Sequence, residues 1–452
     1  MRIEKDTLGE IEVPEHAYYG AQTQRALNNF RASGRVFPHD FIKAYLLLKR
    51  ACARANSACG KLEEEKRDLI IDACKQAETM PEQFKVDVYQ AGAGTSFNMN
   101  VNEIVANLSA EIYGKAKGDY SYAHPNDHVN MSQSSNDTFP TASHIAVLWK
   151  ADQLLQVLNN LLGAFKEKRS QFSDVSKPGR THLMDAVPVT VGDEFNAYAT
   201  VIEKCMESIK YGRNNLLEVP LGATATGSGA NSPEGYREKV IGYLSELTGL
   251  SLKSAKDPYE ALQSRFGLSA FSGYLSLLAQ ELNRVANDLR LLNSGPVTGI
   301  AEIKLPPVQP GSSIMPGKVN PVMAECLNMI CYRIKGNHLS VSEASQAGQL
   351  ELNIMTPIIT HCIFDSLDLF IKFLPDFQKL CVEGIEVNRE RCRELNLSNP
   401  ALATLLSTEI GYDKATDLAR ESVEKGIPVP ELAVEKGLLS EDQAKSLFKN
   451  IH

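Results

Sequence analysis

The sequence lacks several features by which common classes of protein are recognised. No block of lysine and arginine is interleaved with aromatic residues and the net charge is −8, so we expect no nucleic acid partner. No run approaches the ~18 apolar residues of a membrane span, and the N-terminal stretch MRIEKDTLGEIEVP has no apolar signal core, so we expect no membrane contact. The nine cysteines are odd in number and include no CxxC pair, which favours reduced thiols in a cytoplasmic protein.

Motifs for nucleotides, acyl hydrolysis and metals are also missing. The stretch GSSIMPGKVN has five residues between its glycines and a valine after its lysine, so it does not match the phosphate-binding pattern GxxxxGK followed by Ser or Thr. AGAGTSFN is not a GxGxxG turn after a strand, and no GxSxG elbow occurs. His124 and His128 would ligate a metal on a helix, but Pro125 lies between them, which favours a structural role. We therefore predict no cofactor and no metal.

What the sequence does contain is a series of unusually long helical patterns. Apolar residues recur at three- and four-residue steps through residues 41–80, 141–172, 194–217 and 258–294. The last segment would be ~55 Å long if it were continuous, whereas ordinary globular helices run ~8–20 residues. These lengths predict a mainly α fold built on an elongated bundle, in which helices of several subunits pack together.

The chain divides by pattern into three parts. Residues 1–134 are mixed, and alternation from Ile3 to Val13 around Leu8-Gly9 predicts a short β-hairpin. Residues 135–389 carry the long helical patterns of the central bundle. Residues 390–452 begin with ELNLSNPALATLLSTEIGYDKA and continue as short charged helices, which predicts a small C-terminal helical domain.

Five polar, glycine-rich stretches separate the helices. They are AGAGTSFNMN (91–100), HPNDHVNMSQSSNDTFP (124–140), GRTHLMDAVP (179–188), LGATATGSGAN (221–231) and GSSIMPGKVNP (311–321). Any one of them is typical of helix caps and turns. Together they offer hydroxyls, amides, one lysine and one histidine at helix ends, an inventory suited to binding carboxylates. Its members are Thr95, Ser134, Ser135, Asn136, Thr181, His182, Ser312, Ser313, Lys318 and Asn320.

In order and spacing these stretches resemble those of the aspartase/fumarase superfamily, and GSSIMPGKVNP is similar to its signature. The resemblance covers almost the whole chain. It implies reversible elimination from a succinyl-type substrate, usually with release of fumarate. It also implies a homotetramer with a central bundle of long helices from all four subunits, and active sites that are each built by three subunits.

The resemblance also implies roles for individual residues. Ser312 would remove the proton on a loop that closes over the bound dicarboxylate, and Lys318 would help to keep that serine deprotonated. The carboxylate that gains charge in the aci-carboxylate intermediate would be bound by Thr95, Ser134, Ser135 and Ser313. The other carboxylate would be bound by Thr181, Lys318 and Asn320. Asn136 and His182 would lie near the leaving group, and Glu325 would set the protonation of His182.

The branches of the superfamily differ in the leaving group. Tyr89, Ala93, Tyr120 and Tyr122 resemble the aspartate ammonia-lyase branch, which releases ammonia from L-aspartate. The pair Ser134-Ser135 resembles fumarases instead. Met184 and Asp193 replace glutamines that are common in both branches. We therefore predict elimination of ammonia from L-aspartate to give fumarate. The alternatives are a lyase for another N- or S-substituted succinate, or a fumarate hydratase.

A non-catalytic protein with the same fold is a further alternative. Such a protein would have no reason to keep Ser312, Lys318, Asn320, His182 and Thr95 together, and all five are present. We therefore favour an enzyme.

Overall fold

The computed structural model describes residues 1–448, and the last four residues of the predicted C-terminal domain lie outside the described residues. The fold is mainly α-helical, which confirms the predicted class. The helices are α1 (Ala21–Asn29), α2 (His39–Ala58), α3 (Glu64–Ala77), α4 (Thr95–Ile112), α5 (Ser135–Gln171), α6 (Val191–Asn215), α7 (Tyr236–Thr248), α8 (Pro258–Gln263), α9 (Phe266–Leu292), α10 (Val322–Gln346), α11 (Thr356–Phe377), α12 (Arg389–Leu397), α13 (Ser407–Ile410), α14 (Tyr412–Lys425), α15 (Val429–Glu435) and α16 (Glu441–Leu447). Within residues 1–448, no helix combines the length and the hydropathy that crossing a lipid bilayer requires.

Short strands form four two-stranded sheets among the described residues. β1 (Arg2–Asp6) and β2 (Gly9–Val13) form the predicted N-terminal hairpin. β3 (Ser176–Thr181) and β4 (Met184–Thr190) form a second antiparallel hairpin. β5 (Glu218–Val219) pairs in parallel with β6 (Lys253–Ser254), and β7 (Ile303–Lys304) pairs antiparallel with β8 (Glu386–Val387).

The long helical segment predicted at 258–294 is interrupted. It consists of α8 and α9, and Ser264 between them is extended, with φ −99° and ψ 151°. The buried Arg265 explains the break, because its guanidinium donates to the carbonyl oxygens of Ala261 and Asn353 and to the hydroxyl of Thr356. Apolar spacing continues through this point, so periodicity alone does not reveal it.

The described chain forms two compact units that do not follow chain order. Unit 1 comprises residues 1–155, 207–277 and 333–369, and unit 2 comprises the remainder. Each border falls inside one of the helices α5, α6, α9, α10 and α11. The three-part division by sequence stays a prediction.

An aromatic cluster forms the core of unit 1 below the first turns of α4 and α5. Phe97 is on α4, Phe139 is on α5, and Phe37, Phe41 and Tyr45 contact them at ring-centroid distances from 4.9 to 6.2 Å. Each such ring pair contributes about 0.5–1.5 kcal/mol beyond the buried area. The cluster therefore holds the two helix N-termini firmly.

Unit 2 contains the β3–β4 hairpin and the C-terminal helices. A separate apolar core within unit 2 is formed by side chains from Leu402 to Phe448. The C-terminal segment is also bonded to the hairpin, because Asn399 donates to the carbonyl oxygen of Ala186 at 2.8 Å and Asn396 donates to Ser176 at 2.9 Å.

Candidate active site

The sequence-predicted site residues divide between the two units. Thr95, Ser134, Ser135 and Asn136 belong to unit 1, and Thr181, His182, Ser312, Ser313, Lys318, Asn320 and Glu325 belong to unit 2. They form three local groups: the N-termini of α4 and α5, the turn of the β3–β4 hairpin, and the loop 311–321 with the start of α10.

In unit 1 the first turns of α4 and α5 bring two hydroxyls together. Oγ1 of Thr95 and Oγ of Ser135 are 2.9 Å apart. Each residue begins its helix, where backbone N–H groups lack helical partners and the helix dipole favours negative charge. The pair is therefore suited to binding a carboxylate.

The backbone before Thr95 leaves no room for a larger residue. Gly94 has a left-handed φ of 72°, and a Cβ atom there would lie 2.0 Å from the ring of Phe139. Ala93 is also left-handed, and its N–H donates to the carbonyl oxygen of Ile354 at 2.7 Å. Close contact between glycine backbone and aromatic ring thus places Thr95.

Ser134 and Asn136 complete this group. Oγ of Ser134 accepts from the N–H of Asn136 at 3.2 Å, the N-cap interaction expected from the sequence. Nδ2 of Asn136 donates to the carbonyl oxygen of Ala225 at 2.8 Å. That bond fixes the orientation of the amide, which leaves Oδ1 of Asn136 as an acceptor and the second N–H of Nδ2 as a donor.

Sequence reasoning missed a buried lysine beneath this group. Nζ of Lys49 donates to Asn98 and Gln133 at 2.8 Å each and to Asn130 at 3.2 Å. Burial lowers the pKa of Lys49 to about 8. The lysine orders the polar stretch that leads into Ser134. The available signal was a lysine inside the apolar run AYLLLKRACA of α2.

In unit 2 the hairpin turn presents Thr181 and His182. His182 and Leu183 form a two-residue turn in which both have left-handed φ values, 55° and 61°. Such a turn matches the twist of a hairpin, but it strains residues other than glycine, asparagine and aspartate. Strain of this kind is common at functional sites. Met184 pairs with Thr181 at the base of the turn and is 69% exposed.

Buried charges hold the hairpin. The fully buried Glu302 lies 2.8 Å from Arg180 and 2.9 Å from Lys177, and Lys177 also lies 3.0 Å from Glu194. Removing one partner from a buried pair typically costs about 3–5 kcal/mol, because the other charge is left uncompensated. Arg180 directly precedes Thr181, so this network determines where the turn begins.

The loop 311–321 is closed at its base by two hydrogen bonds. The N–H of Gly311 donates to the carbonyl oxygen of Lys318, and Nδ2 of Asn320 donates to the carbonyl oxygen of Gly311, both at 2.7 Å. The tip between them is exposed, including 84% of Ile314. A closed base with an exposed tip is the arrangement expected of a lid.

Ser312 accepts two hydrogen bonds inside this loop. The N–H groups of Ile314 and Met315 donate to its Oγ at 3.2 and 2.9 Å. Two donors on one hydroxyl oxygen stabilise negative charge there. The same two bonds also stabilise the turn that begins at Ser312.

A cavity of about 820 Å³ lies beside the loop in unit 2. Lys318, Asn320 and Glu325 line it together with Arg290 and Lys304. Glu325 is in the first turn of α10, where a carboxylate interacts favourably with the helix dipole. Neither a hydrogen bond nor an ion pair joins Glu325 to His182 within the described chain.

His124 and His128 stabilise a turn. Nδ1 of His124 accepts from the N–H groups of Asn126 and Asp127 at 3.2 Å, and Nδ1 of His128 accepts from the N–H of His124 at 2.9 Å. Among residues 1–448 no group of three or more His, Cys, Asp or Glu side chains is arranged to hold a metal ion.

The family of the chain follows from comparison with known proteins. Residues 9–336 match the family described as Lyase, and residues 402–450 match the family described as Fumarase C C-terminus. An aspartate ammonia-lyase of Pseudomonas aeruginosa is 46% identical over 97% of this chain and 94% of its own length. The chain belongs to the aspartase/fumarase superfamily of lyases.

Similar proteins also include ones that are named fumarate hydratase, fumarase or fumarate lyase. A class II fumarate hydratase of Thermosynechococcus vestitus is 43% identical over 98% of this chain and 95% of its own. Among solved structures, a fumarate lyase:delta crystallin from Brucella melitensis bound to cobalt has a TM-score of 0.96 and 42% identity, and covers 100% of this chain and 98% of its own. A class II fumarase from Schistosoma mansoni also has a TM-score of 0.96, with 35% identity and the same coverage of both chains. The fold and the lyase class are thereby established.

The closed base of the loop leads to a first prediction. A Cβ at Gly311 would lie 2.7 Å from Lys318 O and Asn320 N, so Gly311→Ala must open the base. The superfamily resemblance assigns the base to this loop, so we expect a loss of about 100-fold in kcat/KM, because misplacing a catalytic group by about 1 Å has that effect, with little change in the thermal unfolding midpoint.

Gly317→Ala is the matched control. Gly317 has a φ of 79° but no atom within 4 Å of an added Cβ, so strain of about 1 kcal/mol is the expected cost and kcat/KM should fall by less than about tenfold. Equal losses in the two variants would contradict a role for the closed base.

Proposed function

We propose that the protein eliminates ammonia from L-aspartate to give fumarate. The observation that best supports this proposal is the acceptor Oδ1 of Asn136. Asn136 directly follows Ser135, whose hydroxyl pairs with that of Thr95. A site with hydroxyl donors for a carboxylate and an oxygen acceptor beside them suits a substrate with both a carboxylate and an ammonium group. The relatives named aspartate ammonia-lyase support the same substrate.

In this reaction Ser312 is the base. Its Oγ takes a proton from the carbon next to one carboxylate, and the electron pair of that C–H bond moves into the carboxylate to form an aci-carboxylate. When the pair returns, the carbon–carbon double bond forms and the C–N bond breaks, with the nitrogen leaving as ammonia. The donors from Ile314 and Met315 favour the deprotonated serine before the reaction.

Charge stabilisation is the main task of the remaining groups. Thr95, Ser134, Ser135 and Ser313 donate to the carboxylate whose charge grows, and donors that are already positioned act without reorganisation. Thr181, Lys318 and Asn320 hold the second carboxylate. His182 lies near the leaving group and Glu325 sets its protonation.

We also propose a homotetramer in which each site is shared. The three groups of site residues are supplied by three different copies of the chain: 95 and 134–136, 181–182, and 312–325. Exposure supports this arrangement, since Thr181, His182, Ser313 and Lys318 are all exposed in one chain. Elimination at a charged centre needs a site from which water is excluded.

Met184 supports a second candidate. Its exposed thioether follows the Thr181–Leu183 segment, where an amide is common in the superfamily. An apolar side chain would tolerate a larger group on the departing nitrogen or sulfur. A lyase for N- or S-substituted succinates is therefore the alternative, and fumarate hydration is the third.

The substrate is tested by following the absorbance of fumarate with L-aspartate, L-malate, and N- or S-substituted succinates supplied one at a time. We expect a rise with L-aspartate and none of comparable rate with the others. A rise only with L-malate or with a substituted succinate would contradict the proposed leaving group and would assign Met184 to a changed pocket.

The base is tested with Ser312→Ala. Loss of a general base typically costs about 10²–10⁴-fold, and a group acting only in the transition state lowers kcat without raising KM. Thr181→Ala is the control, because Thr181 holds the second carboxylate, whose charge does not grow, so its loss should act more through KM. Full activity in Ser312→Ala would refute the serine mechanism while leaving the lyase class intact.

Site sharing is tested by mixing two inactive variants, His182→Ala and Ser312→Ala, in denaturant and refolding them together. If the two residues of one site come from different copies, random assembly leaves about one site in four with both intact, so about a quarter of wild-type activity should return. A mixture as inactive as its components would show that one copy supplies both residues.

A further inference from the structure

Asp137 is a buried carboxylate that none of the roles above uses. It lies in the first turn of α5, directly after Asn136, and its exposure is 0%. Its Oδ1 accepts from the N–H of Ser134 at 3.0 Å. Its Oδ2 accepts from the N–H groups of Gly222 and Thr224 at 3.0 and 2.9 Å. One side chain therefore bonds the backbone of two separate loops.

The bond to Ser134 alone would be an ordinary helix cap. A carboxylate at the third helical position often accepts from the N-cap N–H, as in a capping box. The two bonds to Gly222 and Thr224 are not part of that motif, because these residues lie 85 and 87 positions further along the chain. Asp137 thus has a role beyond capping the N-terminus of α5.

The second loop needs such a contact to keep its shape. Thr224 has a left-handed φ of 57°, which costs free energy for a β-branched residue and persists only where the surroundings enforce it. The neighbouring Ala225 provides the carbonyl oxygen that accepts from Asn136. The position of the Asn136 side chain therefore depends on where the loop 222–225 is held.

The contact also requires a charged carboxylate. Three N–H groups approach the two oxygens of Asp137, and both oxygens must act as acceptors. An asparagine would direct its NH₂ group either at Ser134 N–H or at Gly222 and Thr224 N–H, so donors would oppose donors. Burial raises the pKa of Asp137 to about 7, and the charged groups near it include Lys49 on α2. Mildly alkaline solution therefore keeps the carboxylate ionised.

We propose that Asp137 is a positioning residue that holds the loop 222–225 against Ser134–Asn136 and so sets the positions of the groups that bind the substrate. It does not touch the substrate itself. The proposal rests on the proposed carboxylate site at Thr95 and Ser134–Asn136, and it adds a second loop to the parts that this site requires.

The test is Asp137→Asn, measured at pH 8.5 by calorimetric binding of succinate, an unreactive four-carbon dicarboxylate, and by KM for the substrate that the wild type eliminates. We expect the succinate Kd and the KM to rise by about tenfold or more, since both hydroxyl and amide groups are displaced. Because the KM comparison uses whichever substrate is turned over, a different leaving group would refute the aspartate proposal without affecting this test.

Asp87→Asn is the matched control. Asp87 is also buried, and its two oxygens accept from the N–H groups of Ser33, Gly34 and Tyr89 at 2.7–2.9 Å. The two variants should lose similar thermal stability, but only Asp137→Asn should weaken binding. If both leave Kd and KM within about twofold of the wild type, or change them equally, Asp137 is merely structural.

Asp137→Glu keeps the charge and tests the same point if the asparagine variant does not fold. Its longer side chain moves the carboxylate by about the length of one methylene, so it cannot keep all three bonds. We expect a folded protein with raised Kd and KM. Wild-type values in this variant would overturn the proposal.

Discussion

The polar groups at the N-termini of α4 and α5 depend on one contact, the packing of the Phe139 ring against the backbone of Gly94. Carboxylate binding at these helix ends needs donors placed within a fraction of an ångström, and loops alone rarely provide that. Here the hydrophobic cluster supplies the rigidity, since Phe97 and Phe139 belong to the same helices as Thr95 and Ser135. Apolar packing thus defines the geometry of a polar site. The hydrophobic contact is close here because the aromatic rings interlock and because Gly94 has no Cβ atom to keep the ring of Phe139 away.

Unit 2 achieves positioning by different means. The hairpin turn at His182 rests on buried ion pairs around Glu302, and the loop 311–321 rests on two hydrogen bonds at its base. Buried pairs are rigid but costly to desolvate, whereas a loop with few contacts opens readily. This difference suits the proposed roles. A turn that orients a leaving group benefits from rigidity, and a loop that carries a base must admit the substrate before it closes.

Much of this arrangement can be predicted from the sequence. Where the sequence-based prediction fails, the failure has a physical cause. The helices α5 and α6 follow from periodicity, because apolar residues recur at helical spacing along them. The hairpin at Ile3–Val13 follows from alternation around the Leu8-Gly9 turn, but in β1 the buried residue is Glu4, and Ile3 is 60% exposed. The break at Ser264 does not follow from periodicity, because apolar spacing continues across it. The structure shows there an extended Ser264 that accepts from the N–H of Phe266, followed by the buried guanidinium of Arg265. From the sequence alone Asp137 is predicted to be a helix cap and nothing more, because its second set of partners lies more than eighty residues away along the chain. Sequence patterns describe neighbours along the chain, so contacts between distant loops escape them.

The exposed apolar residues near the proposed site favour a shared architecture. Leu183 is the second residue of the strained turn that begins at His182, Met184 follows it, and Ile314 lies at the tip of the loop that carries Ser312. A monomer gains nothing by exposing such side chains beside charged groups, whereas a second copy packed against them would bury apolar surface and exclude water together. The same event would raise the strength of every electrostatic interaction in the site, because the local dielectric falls. Assembly and catalysis would then depend on the same apolar surface, and Met184 would affect both the contact between copies and the space left for the leaving group.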